Sequence, residues 1–319
     1  MRFSFLKEAG KAFFQDRHVT KANELLVPWN GGDASNVSLI GAPLSKSSIS
    51  HSGAAFAPGA IRQALSFYST YSIADDIDLA GVIVTDYGDI IMHPTDIIES
   101  QRRIADTMGQ VVASNPSALW IVLGGDHSIS FPAVSGFQKN KGKVGIIQFD
   151  AHHDLRNLED GGPTNGTPFR SLIESSIIEG QHLIQIGLRD FANSKVYTDY
   201  GKQHGVAMYT MEDVYRRGVQ SIIEESIAKL ESEVDAIYVS VDMDVLDQAH
   251  APGCPAIGPG GMDSYSLLKA VSLLAQYEMV QAIDIVEIDP TIDFRNMTSR
   301  TAAWVILQFL KAKKKAGMI

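Results

Sequence analysis

One cysteine, Cys254, is the chain's whole thiol content. No disulfide can form within it, and a reducing compartment is the expected setting. Long apolar runs are missing too. No window of about eighteen residues stays apolar, so no membrane span is expected. The opening "MRFSFLKEAGKAFFQDRHVTK" scatters charges among its apolar residues and has no continuous apolar centre, so no signal peptide is expected either. Positive charge is in deficit: 27 Lys and Arg stand against 37 Asp and Glu, a formal net charge of -10. That argues against nucleic acid or an anionic membrane as the main partner, because both need a basic footprint. A small anionic substrate stays open, since a few local arginines can hold one. Repeats, low-complexity tracts and Pro/Gly/Ser linkers are also absent. These absences predict a cytoplasmic protein in which one domain spans 1–319.

What is present is a series of apolar runs of strand length: 37–43, 81–89, 118–126, 143–150, 182–190, 236–244 and 280–290, with a shorter one at 206–210. Segments of helical period lie between many of them, at 98–113, 211–231, 263–277 and 299–314. Strands apolar on both faces, alternating with helices, predict an α/β fold: a central, mostly parallel sheet in a three-layer α/β/α arrangement. The last helix ends "LKAKKKAGMI", and its lysines read as a solvated face at the negative end of a helix dipole.

Polar residues collect where the runs end. "FDAHHD" follows "VGIIQ". If the strand continues, alternation sends Asp150, His152 and Asp154 to one side and His153 to the other. "SVDMD" brings Asp242 and Asp244 after "AIYV", and "GGDHS" brings His127 after "LWIVL". Each motif alone has an ordinary structural use as a turn or a helix cap. Together they put four carboxylates and two imidazoles at strand ends, where open α/β sheets form their sites. Unpaired, the carboxylates would repel one another and resist burial. Divalent cations remove both problems, and six such ligands can serve two cations. Oxygen and nitrogen donors without thiolate suit Mn²⁺.

"GGDHS", "FDAHHD" and "SVDMDVLDQAHAPGCPAIGPGG" resemble the signature regions of the ureohydrolase family of arginases, agmatinases and formimidoylglutamases. The likeness extends to "FAPGAIR", "DYGD", "GTPFR" and "IVEIDP", so it covers nearly the whole chain. "DAHHDLRN", "EDGGPTNGTPFR" and "SKSSISHSGA" are most similar to the bacterial formimidoylglutamase branch. The resemblance implies an arginase-like fold, two Mn²⁺ per subunit and a homo-oligomer, trimer or hexamer. It implies that His127, Asp150, Asp154 and Asp242 bind one ion and His152, Asp150, Asp242 and Asp244 the other. The implied reaction is hydrolysis of N-formimidoyl-L-glutamate to L-glutamate and formamide in histidine breakdown, by a metal-bridging hydroxide that attacks the amidine carbon. Glu287 would pair with the cationic amidine, and Asp154 would pass a proton to the leaving amine.

Two departures from the arginase pattern point the same way. A family histidine in "HGxP" is replaced here by Asn165, which cannot titrate; His153 is a candidate substitute for proton transfer. Arginases place an asparagine two residues past the "DAHxD" motif, where this chain has Arg156. Arginine recognises carboxylate bidentately, which favours an anionic amidine substrate. Arg170 and Arg189 are candidates for its second carboxylate, and Lys46 and His51 for the mouth of the site. Cys254 is either near the site or a packing residue. The rival expectations are another ureohydrolase acting on a guanidino acid and an inactive metal-binding homologue.

Overall fold

The computed structural model describes residues 16–50 and 52–319. The first fifteen residues of the segment read for targeting signals, and His51, lie outside the described residues. The strands are β1 (Leu26–Pro28), β2 (Val37–Ala42), β3 (Tyr71–Ser72), β4 (Ile77–Asp78), β5 (Val84–Asp89), β6 (Leu119–Gly124), β7 (Val144–Phe149), β8 (Leu183–Leu188), β9 (Ala207–Thr210), β10 (Ala236–Asp242) and β11 (Val280–Val286). The helices are α1 (Ala57–Leu65), α2 (Ile97–Ser114), α3 (Ser130–Gln138), α4 (Pro168–Glu174), α5 (Lys195–Gln203), α6 (Met211–Arg217), α7 (Val219–Leu230), α8 (Ser264–Leu274) and α9 (Met297–Lys315).

A nine-stranded sheet runs in the order β1-β5-β2-β6-β11-β10-β7-β8-β9. Every neighbouring pair in it is parallel. Only β3 and β4, a separate pair, run antiparallel among the described strands. Side-chain alternation feeds two cores. Ile121 and Leu123 of β6 join Ile61 of α1, Ile223 of α7, Val271 of α8 and Phe309 of α9. Trp120 and Val122 of the same strand join Met108 of α2, Phe137 of α3 and Phe169 of α4 on the opposite face. The expected three layers follow, with β2, β6, β7, β8 and β10 buried at every residue. Burying one such Leu, Ile or Phe stabilises the fold by about 1.5–3 kcal/mol.

Two expectations need correction. The helical segment at 211–231 is two helices, because Gly218 takes φ 76 between α6 and α7. Glycine enters that left-handed region without steric cost. The terminal lysines are not simply a solvated face. Lys311 and Lys315 both pair with Asp75 at 2.6 Å, and Lys314 donates to the Asp78 carbonyl, so they clamp the β3–β4 hairpin. Lys313 is buried and donates to the Tyr277 carbonyl at 2.8 Å. Among the described residues, no helix is long and apolar enough to cross a membrane.

Candidate active site

Four adjacent strands, β6, β11, β10 and β7, deliver the polar residues from their carboxyl ends. Consecutive strands β6 and β7 are separated in the sheet by β11 and β10, a discontinuity of the kind that opens a crevice. His127 begins a short turn after β6 (His127–Ile129), capped by Asp126, which accepts the Ser128 N–H. Gly125 makes room for this turn: a Cβ there would collide with the Leu44 backbone. Asp242 ends β10, and its Oδ1 accepts the Asp244 N–H at 2.8 Å. Glu287 follows β11.

β7 stops at Phe149, so strand alternation does not sort the "DAHHD" residues. A loop does. Asp154 has φ 51 and Glu287 φ 60, a region that L-residues with a Cβ seldom enter. Such backbone strain gathers at functional sites, where the surroundings hold it in place. His153 does turn away, as expected. Its Nδ1 lies 2.7 Å from Gln185 Oε1 and its Nε2 2.9 Å from Thr198 Oγ1. Burial holds its pKa below the ordinary histidine value. Both nitrogens are engaged, which leaves it no free atom to shuttle a proton.

His127 Nδ1 lies 3.1 Å from Asp150 Oδ2, 2.9 Å from Asp154 Oδ2 and 3.1 Å from Asp242 Oδ2. Despite those distances this buried nitrogen makes no hydrogen bond, while its Nε2 lies 2.9 Å from Ser240 Oγ. A buried, orphaned nitrogen faced by three carboxylate oxygens is what lone pairs turned toward a shared cation look like. The second group is His152 Nδ1 with Asp244 Oδ2 at 3.0 Å and Asp150 Oδ1 at 3.4 Å. Within each group the donor atoms lie within 4.8 Å of one another. Asp150 belongs to both groups and Asp242 only to the first. Asp242 Oδ1 accepts the Asp244 N–H, as Asp150 Oδ1 accepts the His152 N–H.

Burial, reinforced by the charge of Asp150, pushes the Asp154 carboxyl up to about 6. Burial and the charges of Asp244 and Asp150 push Asp242 well above its ordinary value. Cations relieve that cost, so the residues present fit a divalent pair. Glu287 is also buried, and that, with Asp126 nearby, raises it to about 8. Its Oε1 accepts the His127 N–H at 2.7 Å and Asn165 Nδ2 at 3.0 Å.

A cavity of about 240 Å³ opens over these groups, walled by His152, Asp154, Arg156, Asn165, Asp242, Asp244 and Glu287 among others. Arg156 reaches it across Gly166, where a Cβ would stand only 2.6 Å from Arg156 Cδ. The Arg156 side chain is exposed and makes no ion pair among the described residues. The other two candidate arginines already make contacts within the protein. Arg170 pairs with Glu174 at 2.7 Å and lies over the Tyr200 ring, one turn along α4. Arg189 donates to the carbonyls of Asp244 at 2.6 Å and Leu246 at 3.0 Å, fixing the loop that carries Asp244. Lys46 is exposed and does not line the cavity. The Cys254 thiol is buried, which together with the charges of Asp242 and Asp244 raises its pKa.

Sequence reasoning missed two glutamines inside core strands, Gln148 on β7 and Gln185 on β8, paired in register. Gln148 Nε2 donates to Asp150 Oδ2 at 2.6 Å. The available signal was a lone amide in each of two otherwise apolar runs, "GIIQF" and "LIQIG".

Comparison with known proteins agrees with this geometry. The pattern of the arginase family matches residues 35–311. The chain is 61% identical to a formimidoylglutamase of Halalkalibacterium halodurans, over 98% of this chain and 97% of that protein. It superposes on the crystal structure of formimidoylglutamase from Bacillus subtilis with a TM-score of 0.94 at 52% identity, over 97% of this chain and 96% of that one. A Trypanosoma cruzi formiminoglutamase, solved with Mn²⁺₂, shares the fold at TM-score 0.83 and 22% identity, over 92% of this chain and 98% of that one. On sequence and structure alike, the chain belongs to the arginase family.

Proposed function

We propose that the protein is a formimidoylglutamase, hydrolysing N-formimidoyl-L-glutamate to L-glutamate and formamide. The observation that carries this reading is near-full-length likeness to formimidoylglutamases. Arg156, on the cavity wall without an ion pair among the described residues, supports it independently: a guanidinium there suits a substrate with carboxylates. In this reading His127, Asp150, Asp154 and Asp242 would hold one Mn²⁺, and His152, Asp150, Asp242 and Asp244 the other. A pair of divalent cations so held supplies a water deprotonated near neutral pH as the nucleophile.

The remaining work falls to the chain. Glu287 has one oxygen occupied by His127 N–H and Asn165, which leaves Oε2 for the amidinium. A cation beside this buried carboxyl favours its charged form, and the pair then holds the reacting carbon in place. Arg156 meets a carboxylate at the other end of the substrate. Asp154 accepts a proton from the nucleophile and delivers it to the departing amine. Asn165 positions Glu287 and takes no part in proton transfer.

One catalytic domain is part of the same proposal, supported by a site that draws on residues from Ile49 to Glu287 around one sheet. So is a homo-oligomer, trimer or hexamer. Exposed Phe67, Tyr71, Ile73 and Trp304 support it as apolar surface that a copy could cover. The deciding experiment is product analysis with the manganese-loaded enzyme. Formamide and glutamate are expected. Urea from a guanidino acid would favour the sister activity, and metal binding without turnover would favour an inactive homologue.

A further inference from the structure

Gln148 and Gln185 are buried on neighbouring strands with their amide groups fully used. Gln148 Nε2 donates both to Asp150 Oδ2 at 2.6 Å and to the His152 carbonyl at 3.2 Å. Gln148 Oε1 accepts from Gln185 Nε2 at 2.7 Å, which also donates to the His153 carbonyl at 2.7 Å. Gln185 Oε1 faces His153 Nδ1 at 2.7 Å. The direction of this chain is fixed by chemistry. Backbone carbonyls only accept, so the nitrogen of each amide must face its carbonyl. The oxygen of Gln185 is then left for His153, whose Nδ1 must carry hydrogen.

We propose that Gln148, locked by Gln185 and His153, is a positioning residue for Asp150, the carboxylate shared by both ligand groups. Asp150 Oδ1 takes the His152 N–H at 2.6 Å and Oδ2 takes Gln148. The two bonds fix the carboxylate plane, so that Oδ2 faces His127 and Oδ1 faces His152. His153 thereby acts on the site through two amides rather than by moving a proton. Partners that orient ligands in this way typically change metal affinity by 10–100-fold. The inference rests on the reading of these groups as metal ligands.

The test compares wild type, Gln148→Met and Gln185→Met. Manganese titrations followed by electron paramagnetic resonance give affinity and stoichiometry, and thermal midpoints of the metal-free proteins report folding. Gln148→Met should bind about 10–100-fold more weakly at both sites while its metal-free midpoint stays close to wild type. In metal-free wild type, ¹⁵N NMR should find His153 protonated at Nδ1, and Gln185→Met should lose that preference. Two ions bound equally tightly by wild type and folded Gln148→Met would overturn the inference and leave the metal reading standing. A wild type that binds no manganese would overturn the metal reading itself. If Gln148→Met does not fold, Gln185→Met and the tautomer decide: a bare Nδ1 in wild type refutes the chain.

Discussion

Asn165 and Glu287 are tied side chain to side chain, with Nδ2 donating to Oε1 over 3.0 Å. Asn165 is itself held from the other side, its Oδ1 accepting the Ile49 N–H at 3.0 Å and its own N–H donating to the Ser47 carbonyl. It therefore links the loop over the cavity to the carboxylate beneath. A hydrogen bond to a charged group is worth about 1.5–3 kcal/mol. Asn165→Ala should lower kcat/KM by roughly 10- to 100-fold, at about 1.4 kcal/mol per tenfold. Manganese content should be unchanged. A collapse to the level of a ligand variant would show a direct chemical task for the amide.

Arg156→Ala should cost more. Arg156 is exposed in the free protein, and where the bound substrate covers the pair, loss of one partner costs about 2–5 kcal/mol, so kcat/KM on formimidoylglutamate should fall by roughly two orders of magnitude or more. Arg156→Lys should recover only part, because an ammonium cannot make the bidentate pair. Steady-state kinetics with metal analysis of both variants checks this. Near-normal kcat/KM in Arg156→Ala would reduce Arg156 to a surface charge.

Asp150→Ala removes the one carboxylate found in both ligand groups. The variant should lose metal from both sites and show no turnover. Asp244→Ala touches only the second group and should keep an ion at the first. Atomic absorption after dialysis distinguishes the two. Two ions retained by Asp150→Ala would refute the shared ligand.

Lys313 provides a prediction about stability rather than activity. Burial lowers its pKa to about 8, whereas an unfolded lysine titrates near about 10.4. Between those values the unfolded chain binds more protons than the folded one, so this residue makes stability rise with pH through that window. Lys313→Met removes the buried amine. Its melting temperature should exceed wild type at pH 7 by a margin that shrinks as pH rises toward about 10.4. Matched thermal melts across pH 7 to 10.4 test it, and a margin independent of pH would contradict it.

The strands were readable because a fully buried parallel strand writes itself as an unbroken apolar run, and "LWIVL" and "AIYVSV" do so. The ligands were readable because an aspartate just past such a run has few structural excuses. What the sequence could not show was which oxygens were already spoken for. Asp150 shows its two acceptor contacts, to the His152 N–H and to Gln148, only in the folded chain. The carbonyls that Arg189 meets lie more than fifty residues away and leave no local pattern. Arg170 was a different case: its partner Glu174 lies four residues on, a spacing legible as a helical ion pair. The clamp of Lys311 and Lys315 on Asp75 joins residues too distant in sequence for any local pattern to show.

The last strand of the chain lies in the middle of the sheet, with β11 between β6 and β10. His127 and Asp150 are made early in synthesis, yet within the sheet the strands that carry them are linked only through β10 and β11. Closing contacts over so long a stretch of chain is slow. A polypeptide short of residue 280 therefore carries all six candidate ligands, but lacks the strand that joins β6, and with it His127, to β10 and β7 in the sheet. Asp150, His152 and Asp244 already follow the paired strands β7 and β10, so it is the group built on His127 that waits for β11, and capture of that ion marks the arrival of the central strand.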